Sequence, residues 1–138
     1  MILDLNGDGR ADVFVGNDEV PNHHYRNLGG GRFQSVGIRS GTALNQNGRS
    51  MGSMGIEAGD LFGEGRPDLF VTTYVHEGTV LFQNRGGGAF LDVSRGAGMF
   101  AASWGKVGWG TALLDADGDG RLDLFGANGH TRRNAAEM

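Results

Sequence analysis

Nine residues, Asp115-Ala116-Asp117-Gly118-Asp119-Gly120-Arg121-Leu122-Asp123, carry carboxylates at positions 1, 3, 5 and 9. Two like charges ~4 Å apart repel by about 1 kcal/mol in water and about 4 kcal/mol at a protein surface. So dense an acidic run calls for a cation inside it. When backbone wraps tightly around an ion, side chains at positions 1, 3 and 5 point inward. Position 7, Arg121, offers its carbonyl, and Asp123 at position 9 closes the cage. That many hard oxygen donors suit Ca²⁺ better than Zn²⁺ or Cu²⁺. Gly120 permits the sharp turn.

The figure recurs. Asp4-Leu5-Asn6-Gly7-Asp8-Gly9-Arg10-Ala11-Asp12 offers Asp4, Asn6, Asp8, the Arg10 carbonyl and Asp12. Asp60-Leu61-Phe62-Gly63-Glu64-Gly65-Arg66-Pro67-Asp68 is a weaker copy, with Phe62 at position 3 and the longer Glu64 at position 5. Its donors are Asp60, Glu64, the Arg66 carbonyl and Asp68, with Glu57 a neighbour if its strand runs beside the loop. The loops start at Asp4, Asp60 and Asp115, 56 and then 55 residues apart. An EF-hand is excluded, because its bidentate Glu at position 12 is replaced by Val15, Val71 or Gly126.

The elements that hold these loops read as short strands. Ala11 to Val15, Asp68 to Thr72 and Leu122 to Phe125 are apolar runs directly after each loop, so the last Asp also opens a buried strand. Met54 to Gly59 and Trp109 to Leu114 lead into the second and third loops. His24 to Asn27 and Val80 to Asn84 follow as third strands. Glycine triplets 29–31 and 86–88 then turn into Arg32 to Val36 and Ala89 to Val93. Tyr25 and Phe82, Asn27 and Asn84, and Phe33 and Phe90 are each 57 residues apart, so the whole unit repeats. Four short strands per unit make a propeller blade. The expected fold is all-β: a partial, open β-propeller of about two and a half four-stranded blades with Ca-binding loops. It forms one segment, 1–138, with units at about 1–41 (truncated), 42–97 and 98–138 (truncated). Ile38 to Ser53 and Gly96 to Lys106 are expected to be surface connections.

Those motifs resemble the FG-GAP and VCBS repeats of β-propellers, including integrin α-subunit heads. The likeness is closer to the propeller part of the cartilage-acidic-protein group, whose members often carry an ASPIC/UnbV module. Pro21 to Phe33, Gly59 to Thr72, Gly108 to Thr111 and Phe125 to His130 carry it. The resemblance implies a Ca²⁺-binding propeller of a secreted, periplasmic or cell-surface protein that binds a protein or carbohydrate ligand rather than catalysing. Such propellers close rings of about seven blades. The remaining blades are therefore expected in a longer parent chain, and the present segment is expected to form an open arc with unpaired edges.

The other residues give bland readings. The 138 residues include 27 Gly, 2 Pro and no Cys, which excludes disulfides, and net charge is −4. No basic stripe for nucleic acid and no apolar run long enough to span a membrane is present. Met1 to Asp4 enters a loop at once and does not read as a signal peptide. His23, His24, His76 and His130 share no spacing and are expected at surfaces or turns. Trp109 takes the strand position of Met54 and is expected in the core. The glycine triplets lack the order of a phosphate cradle. No nucleophile with a partner base can be placed, so no enzyme activity is expected. The alternative is an accessory or catalytic propeller of a secreted polysaccharide-degrading enzyme, with Trp104, Trp109, His76 and Glu77 lining a sugar groove.

Overall fold

A computed structural model describes residues 1–129; the expectations for His130 and for the end of the third unit lie outside them. Three antiparallel sheets follow one another and leave the arc open, as a partial β-propeller. The first contains β1 (Ile2–Leu3), β2 (Asp12–Val15), β3 (His23–Gly29) and β4 (Arg32–Ser35), in that spatial order. Helix α1 (Gly37–Ser40) leads to the second sheet of β5 (Ile56–Gly59), β6 (Asp68–Val71), β7 (Val80–Gly86) and β8 (Ala89–Asp92). Helix α2 (Met99–Ser103) precedes the third, in which β9 (Val107–Leu114) pairs with β10 (Asp123–Gly129).

The repeat in sequence becomes a repeat in register. Val13 faces Tyr25 in the first sheet, as Leu69 faces Phe82 in the second. Each β3–β4 or β7–β8 hairpin is turned by its glycine triplet, all six residues having positive φ. A bulge precedes each turn, between Asn27 and Gly29 and between Asn84 and Gly86.

The core lies between the first two sheets. Leu5, Phe14, Met51, Leu69, Val71, Val80, Phe82 and Phe90 form one buried cluster. Burial follows position in the arc: β6, in the middle sheet, is buried throughout, and β10, in the last, has no buried residue. Polar bonds join neighbours. Asn84 Nδ2 donates to the Leu5 carbonyl at 3.0 Å, and Gly108 N to the Thr73 carbonyl at 3.0 Å. Among the described residues, no helix is long and apolar enough to cross a membrane.

Several expectations need correction. The segment 38–53 is not simply a surface connection. Met51 belongs to the core cluster, and Thr42 and Ala43 are buried. It passes between two sheets, where Asn22 N donates to the Ala43 carbonyl and Glu19 N to that of Met51. Trp109 is 46% exposed, and Leu122 and Phe125 are exposed as well. They lie in the last described sheet, whose outer side no further described sheet covers. His24, by contrast, is buried at 1% exposure, between Phe14 and Phe90.

Candidate metal centre

Each loop is built on its first carboxylate. Asp115 Oδ1 accepts the Gly118 and Asp119 N–H groups at 2.7 and 3.0 Å, and Oδ2 accepts that of Gly120 at 2.9 Å. Asp4 does the same with Gly7, Asp8 and Gly9. Asp60 takes Glu64 and Gly65 at 2.8 and 2.7 Å. Positive φ at Gly118 and Gly120, and at their counterparts in the other loops, turns these amides inward.

The last Asp joins loop to strand. Asp12 Oδ2 accepts from Leu5 N and Oδ1 from Asn27 N on β3. Asp68 repeats this with Leu61 N at 2.9 Å and Asn84 N at 2.8 Å. Both Asp12 and Asp68 are buried. Asp123 accepts from Ala116 N at 2.9 Å and is exposed, its loop lying in the last sheet. The Asn that receives this carboxylate is a structural residue that the loop motif does not contain. Its signal is the Asn27–Asn84 spacing.

The third loop brings oxygen donors together. One carboxylate oxygen each from Asp115, Asp117 and Asp123 lie within 4.8 Å of one another. Two oxygens on opposite sides of a Ca²⁺ ion, each about 2.4 Å from it, are at most about 4.8 Å apart. The three therefore fit a common hard cation.

Asp119 does not join them; its Oδ2 pairs with Arg121 instead. The same substitution of partner occurs in the other loops, where Asp8 pairs with Arg10 at 2.6 Å and Glu64 with Arg66 at 2.6 Å. The residue expected to give only its carbonyl thus also holds the position-5 acid through its side chain, two residues away. Asp8 has a further partner in Arg26 at 3.2 Å. In the first loop Asn6 Oδ1 accepts Asp8 N, and Nδ2 donates to Asp12. In the second, Phe62 leaves position 3 without an oxygen and is 43% exposed. Glu57 pairs with Phe70 across β5–β6 and bonds the next backbone N–H, not the loop.

In the second loop electrostatics set the first position apart from the last. Burial pushes the Asp4 carboxyl up, but the N–H groups of Gly9, Gly7, Asp8 and Asn6 outweigh it and hold it below its ordinary value. Burial likewise opposes the lowering of Asp8, which the Arg10 N–H, Arg26 and the Arg10 charge together win. Asp60 is lowered by the Gly65 and Glu64 N–H groups. Asp68 goes the other way. Burial raises it, overcoming the Asn84 and Leu61 N–H bonds, and the Asp60 and Glu64 charges add to the rise. A buried carboxylate facing two others is a place where positive charge is in demand.

A family model described as the FG-GAP-like repeat matches residues 4–71 and again 60–126. The chain belongs to the FG-GAP-like repeat family. Both matches begin on the first Asp of an acidic loop, so the repeat unit and the candidate metal centre coincide. Comparison with curated proteins returns no match.

Proposed function

We propose that this FG-GAP-like segment is a non-enzymatic binding module whose loops are pinned by Ca²⁺. It works in an extracellular, periplasmic or cell-surface setting and meets a protein or carbohydrate ligand. The observation that carries this reading is the convergence of Asp115, Asp117 and Asp123 within 4.8 Å. The first loop binds through Asp4, Asn6, Asp8, the Arg10 carbonyl and Asp12. The second uses Asp60, Glu64, the Arg66 carbonyl and Asp68, and the third adds Asp119 and the Arg121 carbonyl.

Ligation by Asp119 requires Arg121 to release it. The pair is exposed, Arg121 by 85%, and such pairs contribute about 1 kcal/mol or less, so a divalent ion outcompetes the arginine. The ion's role is structural: it neutralises the turn from which each strand starts. The motif resemblance to cartilage-acidic-protein propellers supports the extracellular setting. Thermal melting of the full chain with calcium and with chelator tests the reading. Chelator is expected to lower the midpoint by about 5 °C or more. Superimposable melts would remove calcium from the account.

An enzyme-associated role stands second. One observation favours it: Trp104 is 50% exposed, with its ring 5.4 Å from that of His76. Against it, Glu77 Oε2 accepts the Gly52 N–H at 2.8 Å, so the acid expected in that groove is held by backbone. Cleavage of any member of a polysaccharide panel by the full chain would reverse the order.

A further inference from the structure

A cleft of about 430 Å³ opens between the first and second sheets, a volume suited to a small ligand. His24 and Arg26 of β3 and Arg39 and Ser40 of α1 line one side. The turn residues Gly87 and Gly88 line the other, and Asn6 of the first loop also reaches it. No carboxylate among the described residues lines this cleft, although the chain carries net negative charge.

Its polar groups are incompletely used. Arg26 reaches Asp8 through Nη2, while its Nε is buried without a partner. Arg39 makes a long bond to Gln34 Oε1 at 3.4 Å. His24 Nε2 is also buried without a partner. Its Nδ1 lies 3.2 Å from Ser40 Oγ and 3.3 Å from Thr42 Oγ1. Ser40 gives its proton to the Gly37 carbonyl, and Thr42 lies nearer to Ser40, at 2.9 Å, than to the ring. This pattern assigns the imidazole proton to Nδ1 and leaves Nε2 an acceptor. Native structures rarely leave buried polar atoms unsatisfied, so these two have capacity for a partner, water or ligand, at the cleft.

The blade itself does not require these groups. One repeat further on, the positions of His24 and Arg26 are held by Leu81 and Gln83, in a strand that folds with Leu81 buried. The polar pair is therefore a local departure from the repeat.

We propose that the cleft binds an acidic sugar, its carboxylate held by Arg26 and Arg39 and a hydroxyl by His24 Nε2. A planar guanidinium matches a carboxylate through two parallel bonds. A bare inorganic anion leaves most of the volume, and the His24 acceptor, unused. The wall is open at Gly87, where no heavy atom lies within 4 Å of an added Cβ. The inference deepens the binding role proposed above by naming a ligand class, and its link to the loops is the Arg26–Asp8 contact.

The test is titration of the full chain, in calcium-containing buffer, with glucuronate, glucose 6-sulfate, acetate and glucose. Heat and the Gly87 and Gly88 amide resonances are followed. Saturable one-to-one binding of glucuronate is expected, with acetate and glucose about tenfold weaker or worse, and about a tenfold loss in Arg39→Gln. Arg39 is exposed, so this variant keeps its core. His24→Leu, which copies the residue of the next repeat, is expected to weaken glucuronate and to leave acetate unchanged. Tighter binding of the 6-sulfate supports the same site with sulfate as the oxyanion. Equal binding of acetate and glucuronate, indifference to Arg39→Gln, or no saturation by any of the four overturns the proposal. Calcium dependence is read separately by melting, so either reading can fail alone.

Discussion

Asn84 on β7 donates from Nδ2 to the carbonyl of Leu5, 79 residues earlier, at 3.0 Å, and to that of Pro67 at 3.0 Å. One buried amide thus joins the second sheet to its own acidic loop and to the loop of the first. Its backbone N–H meanwhile holds Asp68. The loops therefore serve as the mortar between blades as well as candidate ion sites.

Asn84→Ala should leave two carbonyls without this donor, at least one of them buried, and cost about 2–3 kcal/mol in urea unfolding. Asn27→Ala, at the equivalent position, loses an exposed bond to the Ala11 carbonyl and the Gly29 N–H bond, which Asn84 matches with Gly86, but neither bond reaches another sheet. About 1 kcal/mol or less is expected there. Equal losses would show that the inter-sheet bond contributes nothing.

Metal affinity should follow position 3 of the loops. Asp117→Ala removes one of the three converging oxygens and should weaken calcium uptake about tenfold or more. Phe62→Asp restores an oxygen where the second loop has an exposed ring. Calorimetric titration should then show tighter calcium uptake at the second loop. An affinity unaltered by Phe62→Asp would mean that no cation sits in the second loop.

Close packing around α1 rests on Gly41. Its φ is 83°, and an added Cβ would lie 2.5 Å from the Phe90 carbonyl oxygen, on the neighbouring sheet. Gly41→Ala should cost about 2–3 kcal/mol, from left-handed strain plus displacement of β8. Gly48→Ala, at φ 70° in open space, carries the strain alone, about 1 kcal/mol. Denaturant midpoints of the two variants separate the terms.

How legible these features were depends on the range of the forces behind them. The hairpins follow from glycine triplets, and the loop-to-strand junctions from an Asp followed by apolar residues, all within a few positions of chain. The strand order follows because the unit repeats. The Asp119–Arg121 pair escaped because Arg121 reaches the acid through a flexible side chain that spacing does not reveal. Met51 lies in a segment without apolar period, so nothing local marks it as core. Trp109 and Phe125 have core-like strand positions, but their burial depends on a neighbouring blade and not on their own strand. His24 was readable in hindsight as the polar residue that replaces the apolar position of Leu81.

That histidine also sets a pH dependence. Burial lowers His24 below its ordinary 6.5, and the charge of Asp12 opposes this only in part. Above about pH 6.5 the ring is neutral in both folded and unfolded chains and contributes no slope. As pH falls through that value, the unfolded chain takes a proton that the folded ring refuses, so stability declines until the lower folded value is passed. Urea unfolding at about pH 7.5 and about pH 5.5 should show this decline in the native chain. In His24→Leu the slope should flatten, with Ser40 and Thr42 still paired to each other. A variant that kept the full slope would move the titration to the loop carboxylates instead.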